Sequence, residues 1–249
     1  MNNYSGVFML VRHAESMGNV AREDAEASGS EVIAIDTRDA DVELSPVGEG
    51  QAAAFGCWLA ELPAADRPTR AWSSSYRRAR RTAEIALEQS EALGLPLRID
   101  ERLRDRELGM LDRLTSHGVR TRFPAEADRR AYLGKFYYRP PGGESWADVV
   151  LRLRSFLQDI EREAADRVVL IVAHDAVVLL LRYILEGMDE ASLLDIARTR
   201  SVGNASITLL VGDPGASAWV LALDNVQHHL IEHGSIPTAH EAEHDVDPQ

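Results

Sequence analysis

Two kinds of hydrophobic pattern alternate along the chain. Short, continuous apolar runs at residues 7–11 and 168–173 are typical of strands that are buried on both faces. Elsewhere, apolar residues recur every three or four positions, as in an amphipathic helix, and residues 144–165 show this pattern most clearly. Strands that alternate with helices predict an α/β fold: a three-layer sandwich with a mainly parallel central sheet and helices on both faces.

Weaker signals predict the remaining elements. Further strands are expected at 70–73, 97–99, 206–211 and 219–223, the last two forming a late hairpin. One helix is expected to begin at Ser45, whose hydroxyl can cap it, with Pro46 in its first turn. Other helices are expected over 75–93 and 176–187. Residues 100–143 have no regular period, are rich in arginine and aromatic residues, and are expected to form an irregular, lid-like excursion.

The length of 249 residues suits one large domain. We expect residues 1–231 to form a single catalytic domain, with the lid at about 100–143. Residues 232–249 contain five acidic residues, no arginine or lysine and few apolar residues, so they predict a disordered tail. The tail histidines, His233, His240 and His244, are too loosely spaced to indicate a metal site.

Charge narrows the choice of partners. The net charge of -13 argues against nucleic acid, which requires a basic face. Residues 98–139, however, contain ten arginines and one lysine against seven acidic residues. This basic segment favours a small anionic ligand, with a solvated helix surface as the alternative. No apolar run is long enough for a membrane span or a signal peptide. The single cysteine, Cys57, cannot form an internal disulfide, which fits a cytoplasmic protein.

Two histidines follow predicted buried strands. Arg12 and His13 come directly after the first strand, and His174 follows the strand at 168–173. Ligands of open parallel sheets bind at the carboxyl ends of the strands, where these side chains are expected to lie. A neutral imidazole can attack phosphorus, and a guanidinium group can bind phosphoryl oxygens with two hydrogen bonds. The pair therefore indicates a phosphoryl-transfer site, although a lone histidine at a strand end is more often structural.

Six motifs, in order, resemble those of the histidine phosphatase superfamily, which includes the cofactor-dependent phosphoglycerate mutases. The first, L-V-R-H-A-E-S-M-G-N at 10–19, differs from the family pattern in having Ala14 where glycine is usual. The others are S-S-S-Y-R-R-A-R-R-T-A-E at 73–84, L-R-D-R-E-L-G at 103–109, G-E-S at 143–145, V-A-H at 172–174 and G-N-A-S-I at 203–207. The resemblance covers about residues 7–211.

The resemblance implies roles for particular residues. His13 would be the nucleophile that becomes phosphorylated. Arg12 and Arg78 would bind the phosphoryl group, His174 would donate a hydrogen bond to it, and Asn19 would be a further phosphate contact.

The general acid has two candidates. The resemblance points to Asp105, which stands where the family usually has glutamate and is one methylene shorter. Asp175 follows His174 where this branch usually has glycine, and in the acid-phosphatase branch a His-Asp pair supplies the proton donor. Asp175 can equally be the cap of a helix that begins near Ala176. Asp105 is our first choice.

The sequence thus predicts a phosphomonoester hydrolase that acts on a small phosphorylated metabolite through a phosphohistidine intermediate. No metal or other cofactor is expected, because arginine and histidine supply the positive charge. Two alternatives stay open: a phosphoglycerate mutase-type phosphoryl transfer, and a non-catalytic module that binds a phosphorylated ligand. Sugar phosphates, phosphoglycerates, nucleotides and phosphoproteins all fit as substrates, and nothing in the sequence indicates an oligomeric state.

Overall fold

A computed structural model describes residues 6–90, 94–164, 167–213, 215 and 218–240. At its centre is a six-stranded sheet with the order β3-β2-β4-β1-β5-β6. The strands are β1 Val7–Arg12, β2 Arg70–Ser74, β3 Leu97–Asp100, β4 Val168–Ala173, β5 Ile207–Asp213 and β6 Ala218–Val226. The first four are parallel to one another, whereas β5 is antiparallel to both β1 and β6. The predicted α/β fold with a mainly parallel sheet is confirmed.

Helices connect and cover the strands. They are α1 Met17–Ala27, α2 Pro46–Glu61, α3 Arg77–Gln89, α4 Ser116–Arg122, α5 Pro124–Tyr137, α6 Trp146–Ala164, α7 Asp175–Glu186, α8 Glu190–Thr199 and α9 His228–Glu232. Within the described residues, none of these helices combines the length and apolar composition that crossing a membrane requires.

The apolar strands are explained by a core on each face of the sheet. In β1, Phe8 and Leu10 join the cluster that contains the apolar faces of α6 and α7. Met9 and Val11 point the opposite way, into the cluster that contains residues of α2 and α3. Successive side chains of a strand alternate between faces, so a strand covered on both sides must be apolar throughout.

The predicted start of α2 is confirmed. The Ser45 hydroxyl accepts a hydrogen bond from the Gly48 amide at 3.0 Å, and Pro46 is the first helical residue. Gly48 also permits close packing, because a Cβ atom there would lie 1.9 Å from the carbonyl oxygen of Glu15. The start of α2 therefore rests directly on the loop that follows β1.

The expectation of an irregular segment at 100–143 is wrong, since it contains α4 and α5. Thr115 caps α4 by accepting a hydrogen bond from the Gly118 amide at 3.0 Å, and Pro124 begins α5. Local end signals were therefore present, but α4 has only seven residues, both helices are mostly exposed, and α5 is interrupted at Gly134, where φ is +76°. Their apolar periodicity is correspondingly weak. Helices α1, α8 and α9 were also not predicted.

A disordered tail was predicted from residue 232 onward. Residues 235–240 instead pack against the rest of the domain. The carbonyl oxygens of Ile236, Thr238 and His240 accept hydrogen bonds from the Gln51 side chain, the Asn204 amide and the Arg12 side chain. These donors are buried and need acceptors, and the segment supplies them through its backbone. The rest of the predicted tail, 241–249, lies outside the described residues.

Candidate active site

The order of the strands brings the predicted histidines together. Strand β4 lies between β1 and β2, so the carboxyl ends of all three meet at one edge of the sheet. The His13 amide donates to the carbonyl of Ala173 at 2.8 Å, and the ring centroids of His13 and His174 are 5.2 Å apart. The expectation that Arg12, His13 and His174 share one site agrees with this geometry.

The tautomer of His13 follows from its contacts. Its Nδ1 lies 2.7 Å from the carbonyl oxygen of Ala14, so Nδ1 carries the proton and donates it. The Nε2 atom then has a free lone pair and accepts from Nε of Arg78 at 3.3 Å. Burial, followed by the charges of Arg78, His174 and Arg12, lowers the pKa of His13 well below its ordinary value. The ring is therefore neutral, with its lone pair on Nε2.

Arg12 is anchored on one side only. Its Nη1 donates to the carbonyl oxygens of Val202 and His240, while its buried Nε has no hydrogen-bond partner among the described residues. Burial lowers the pKa of Arg12, and the charges of Asp175 and Asp105 oppose this effect. A buried donor without a partner is costly, and the lack of one sets Arg12 apart from the fully bonded Arg78.

Arg78 is the second residue of α3, at a helix end where anions are favoured. Its Nη2 donates to Asp105 at 2.8 Å, and both terminal nitrogens bind the carboxylate of Asp39, at 2.9 and 3.2 Å. Burial alone would lower the pKa of Arg78, but Asp39 and Asp105 raise it. The guanidinium is therefore fully charged beside His13.

His174 links the sheet to Asp105. Its Nε2 lies 2.9 Å from the Ser74 hydroxyl, and its Nδ1 lies 3.3 Å from Oδ2 of Asp105. Burial lowers the pKa of His174, and the charge of Asp105 opposes this effect. Burial alone would raise the pKa of Asp105, but His174 and Arg78 hold it well below its usual range. Asp105 is thus ionised beside these two residues.

A second layer of charges holds the loop that carries Asp105. Glu144, from the G-E-S motif, accepts from Arg104 at 2.6 Å and from Arg152 at 3.0 Å. Arg152 also donates to the backbone carbonyls of Arg102 and Asp105, the latter at 3.1 Å. The motif therefore supports the loop from behind, and part of the basic charge of residues 98–139 is used in this way.

The other two predicted residues line the same cavity. Asn19 forms a capping box with Ser16 at the start of α1, and its Oδ1 also accepts from Asn204 at 3.2 Å. Asp175 is the first residue of α7, with His174 as the cap, and its carboxylate accepts from the Ala176 amide at 2.6 Å. The structure therefore begins this helix one residue earlier than the capping alternative assumed.

A cavity of about 340 Å³ opens above these residues. Six of the seven predicted site residues line it, and His174 is the one that does not. The 98–139 segment contributes Arg106, Arg113 and Lys135 as well as acidic residues. Within the residues that the structure describes, no cluster of three or more histidine, cysteine or carboxylate side chains could hold a metal ion.

Three residues of the site were not predicted as functional. Ser74 and Asn204 lie inside motifs that the sequence analysis quoted, so their positions gave a usable signal. Asn204 is fully buried and donates to the carbonyl of His13 at 3.2 Å. Asp39 lies in the irregular connection between α1 and α2, where no motif or periodicity marked it.

The protonation of His13 can be measured directly. We expect its ring to stay neutral, with the proton on Nδ1, as the pH falls through the ordinary histidine value of 6.5, because burial and the charges of Arg78 and Arg12 disfavour a second proton. Long-range ¹H–¹⁵N spectra of the histidine rings report the tautomer, and comparison with His13→Gln assigns the signals. A His13 signal that titrates near 6.5 would contradict this expectation.

Comparisons with known proteins identify the family to which the chain is similar. The family model of the histidine phosphatase superfamily (branch 1) matches residues 8–225. The 6-phosphofructo-2-kinase/fructose-2,6-bisphosphatase of Gallus gallus is 32% identical over 125 residues, which cover 50% of this chain and 24% of that protein. The 6-phosphofructo-2-kinase/fructose-2,6-bisphosphatase 3 of Homo sapiens is 33% identical over 147 residues, which cover 59% of this chain and 26% of that protein. This chain thus spans about a quarter of the length of these curated relatives.

Solved structures match along almost their whole length. "Mycobacterial hydrolase 1" has a TM-score of 0.70 and 29% identity, and the match covers 89% of this chain and 99% of the other. A mycobacterial glucosyl-3-phosphoglycerate phosphatase in complex with inorganic phosphate has a TM-score of 0.69 and 28% identity, covering 90% and 99%.

Proposed function

The chain belongs to the histidine phosphatase superfamily, and from this premise we propose that it hydrolyses phosphomonoesters of small metabolites through a phosphohistidine at His13. The observation that carries the proposal is the neutral imidazole whose Nε2 faces the Arg78 guanidinium, with Arg12 beside it in the same cavity. This arrangement holds a nucleophile and a phosphoryl-binding pair in one place.

The reaction has two steps. The Nε2 of His13 attacks phosphorus as the bond to the leaving oxygen breaks, and a carboxylic acid, Asp105 in our assignment, protonates that oxygen. Water then attacks the phosphohistidine, assisted by the same carboxylate as a base, and releases phosphate and neutral His13. Arg12 and Arg78 stabilise the charge on the phosphoryl oxygens in both steps, while His174, which is buried outside the cavity lining, holds Asp105 through its Nδ1. No step requires a metal ion.

The cavity and the relatives support a small substrate. A volume of about 340 Å³ suits a metabolite and is at the lower end for ligand pockets. The named relatives include a fructose-2,6-bisphosphatase and a glucosyl-3-phosphoglycerate phosphatase, which by name act on small phosphorylated compounds. A cytoplasmic location and the absence of a nucleic-acid partner stay predictions from the single cysteine and the net charge of -13.

Mutase chemistry is the second candidate. A mutase must keep water from the phosphohistidine and hold the substrate carboxylate until the phosphoryl group returns. Lys135 favours this candidate, because it lines the cavity with its Nζ 4.9 Å from the centre of the Trp146 ring. Arg129 and Arg130, which resemble the paired arginines of the mutases, are not among the cavity-lining residues of the described chain. Hydrolysis is therefore the better-supported function.

One experiment separates the candidates. A panel of phosphomonoesters is assayed for released phosphate, with and without EDTA, and 3-phosphoglycerate is assayed with a trace of 2,3-bisphosphoglycerate for both 2-phosphoglycerate and phosphate. We expect hydrolysis that EDTA leaves unchanged and that vanadate inhibits. Isomerisation about tenfold faster than phosphate release would favour the mutase instead. Phosphate binding with no turnover would indicate a binding module. Loss of activity in EDTA that a divalent ion restores would exclude the metal-free mechanism.

A further inference from the structure

A carboxylate already occupies the phosphoryl-binding face of Arg78. Asp39 begins a short 3-10 turn, Asp39–Asp41, in the connection between α1 and α2. Its Oδ1 lies 2.9 Å from Nη1 of Arg78, its Oδ2 lies 3.2 Å from Nη2, and its backbone oxygen accepts from Nη1 at 2.7 Å. This is a two-pronged contact of the kind that arginine makes with phosphate.

With these contacts, every N–H group of Arg78 is engaged. A guanidinium has five N–H groups. Nε donates to His13, Nη1 makes two bonds to Asp39, and Nη2 binds Asp39 and Asp105. A phosphoryl oxygen can therefore reach Arg78 only by displacing one of these acceptors.

Asp39 is the acceptor that can leave. Its side chain is 44% exposed, against 21% for Asp105, and its carboxylate makes no hydrogen bond to any described residue other than Arg78. Asp105 is fixed more firmly, because it also lies against His174 and accepts from the Arg106 amide at 2.9 Å. Solvent can hydrate the Asp39 carboxylate as soon as it moves away.

We propose that Asp39 is an affinity-determining residue of the reaction, an internal anion that competes with the phosphoryl group for Arg78 and returns to it when product phosphate leaves. Binding of the substrate and binding of the product both include the free-energy cost of displacing the same carboxylate. Apparent binding of each is weakened by the fraction of molecules in which Arg78 is free. The benefit is faster release of phosphate, which would otherwise stay on two buried arginines.

The proposal rests on the proposed function only in treating Arg78 as the phosphoryl ligand, and phosphate binding tests it without turnover. The variant Asp39→Asn keeps the shape of the side chain and removes its charge. We expect inorganic phosphate and vanadate, titrated by calorimetry, to bind between about threefold and tenfold more tightly, the range of a partly exposed ion pair. The KM should fall by a similar factor. The kcat should not rise and should fall where phosphate release limits the rate.

Asp41→Asn is the matched control. Asp41 lies on the same turn, but its carboxylate pairs with Arg38 at 3.8 Å and both side chains are largely exposed. This variant should bind phosphate as the parent does. Asp39→Ser, which shortens the side chain, should behave like Asp39→Asn.

Unchanged or weaker phosphate binding in both Asp39 variants would overturn the proposal. Weaker binding together with a lower kcat would instead mean that Asp39 holds Arg78 in place. If phosphate binds more tightly to Asp39→Asn but no phosphomonoester is hydrolysed, the proposed function fails and the role of Asp39 stands.

Discussion

Replacing His13 with alanine should reduce the turnover of every phosphomonoester by at least about 10³-fold, because the reaction loses its nucleophile. His13 is the imidazole whose Nε2 is neutral and faces a guanidinium at 3.3 Å. His174 cannot replace it, because its Nε2 is engaged with Ser74 and its Nδ1 lies against Asp105. When the reaction of the enzyme with labelled substrate is quenched, the parent should yield an acid-labile, base-stable phosphoprotein. The variant should yield none.

The matched control is His228→Ala, which removes an exposed histidine of α9 and should change neither the rate nor the trapped phosphoprotein. Circular dichroism must show that His13→Ala is folded. A folded His13→Ala enzyme that retains turnover or an acid-labile phosphoprotein would rule out the phosphohistidine mechanism at this residue.

Replacing Asp105 with asparagine should slow the hydrolysis of substrates with poor leaving groups by about 10² to 10⁴-fold, the usual contribution of a general acid. An alkyl phosphate leaves as a strongly basic alkoxide and needs a proton, whereas p-nitrophenolate does not. The loss should therefore be much smaller with p-nitrophenyl phosphate. Rates for a series of leaving groups, plotted against the basicity of the leaving oxygen, measure this difference.

The control for this test is Asp175→Asn, because Asp175 lines the same cavity and is the rival acid. We expect that variant to slow good and poor leaving groups alike. If Asp175→Asn shows the dependence on the leaving group and Asp105→Asn does not, the two assignments must be exchanged.

A general acid must carry a proton, whereas Asp105 is ionised beside His174 and Arg78. Its pKa is held well below the usual range by His174 and Arg78, against the effect of burial. A phosphoryl dianion that displaced Asp39 would bring a larger negative charge than that carboxylate to the guanidinium that holds Asp105 at 2.8 Å. This weakens the interaction that favours the ionised carboxylate and raises its pKa towards that of a proton donor. We therefore expect substrate binding and acid catalysis to be linked through Arg78.

The strands and the meeting point of the histidines were predictable because the responsible signals are local. An apolar run of six residues, such as β4, can only be a strand or helix segment buried on both sides, and the polar residue that follows marks its end. Once the sheet is parallel, the ends of its strands must share one edge. The roles of Arg78 and Asp105 came from the resemblance to a family and not from any such pattern.

Helices α4 and α5 were missed for the opposite reason. They lie on the surface and bury few side chains, so their stability depends on contacts made elsewhere in the chain. Thr115, for example, also donates its hydroxyl proton to the carbonyl of Ser30 at 2.6 Å. Residues 235–240 were misjudged in the same way, because their composition is polar but their backbone carbonyls satisfy buried donors of other segments.

The sequence by itself determined the layer architecture and the position of Arg12 and His13 at the end of β1. These follow from side-chain chemistry and from periodicity over a few residues. Only the tertiary structure decided which charges are free to act. Arg104 and Arg152 form hydrogen-bonded ion pairs with Glu144, and Arg78 pairs with Asp39. Arg12, by contrast, has a buried Nε without a partner among the described residues. Such pairings join residues that are distant along the chain, so they exist only after the loops have closed over the sheet.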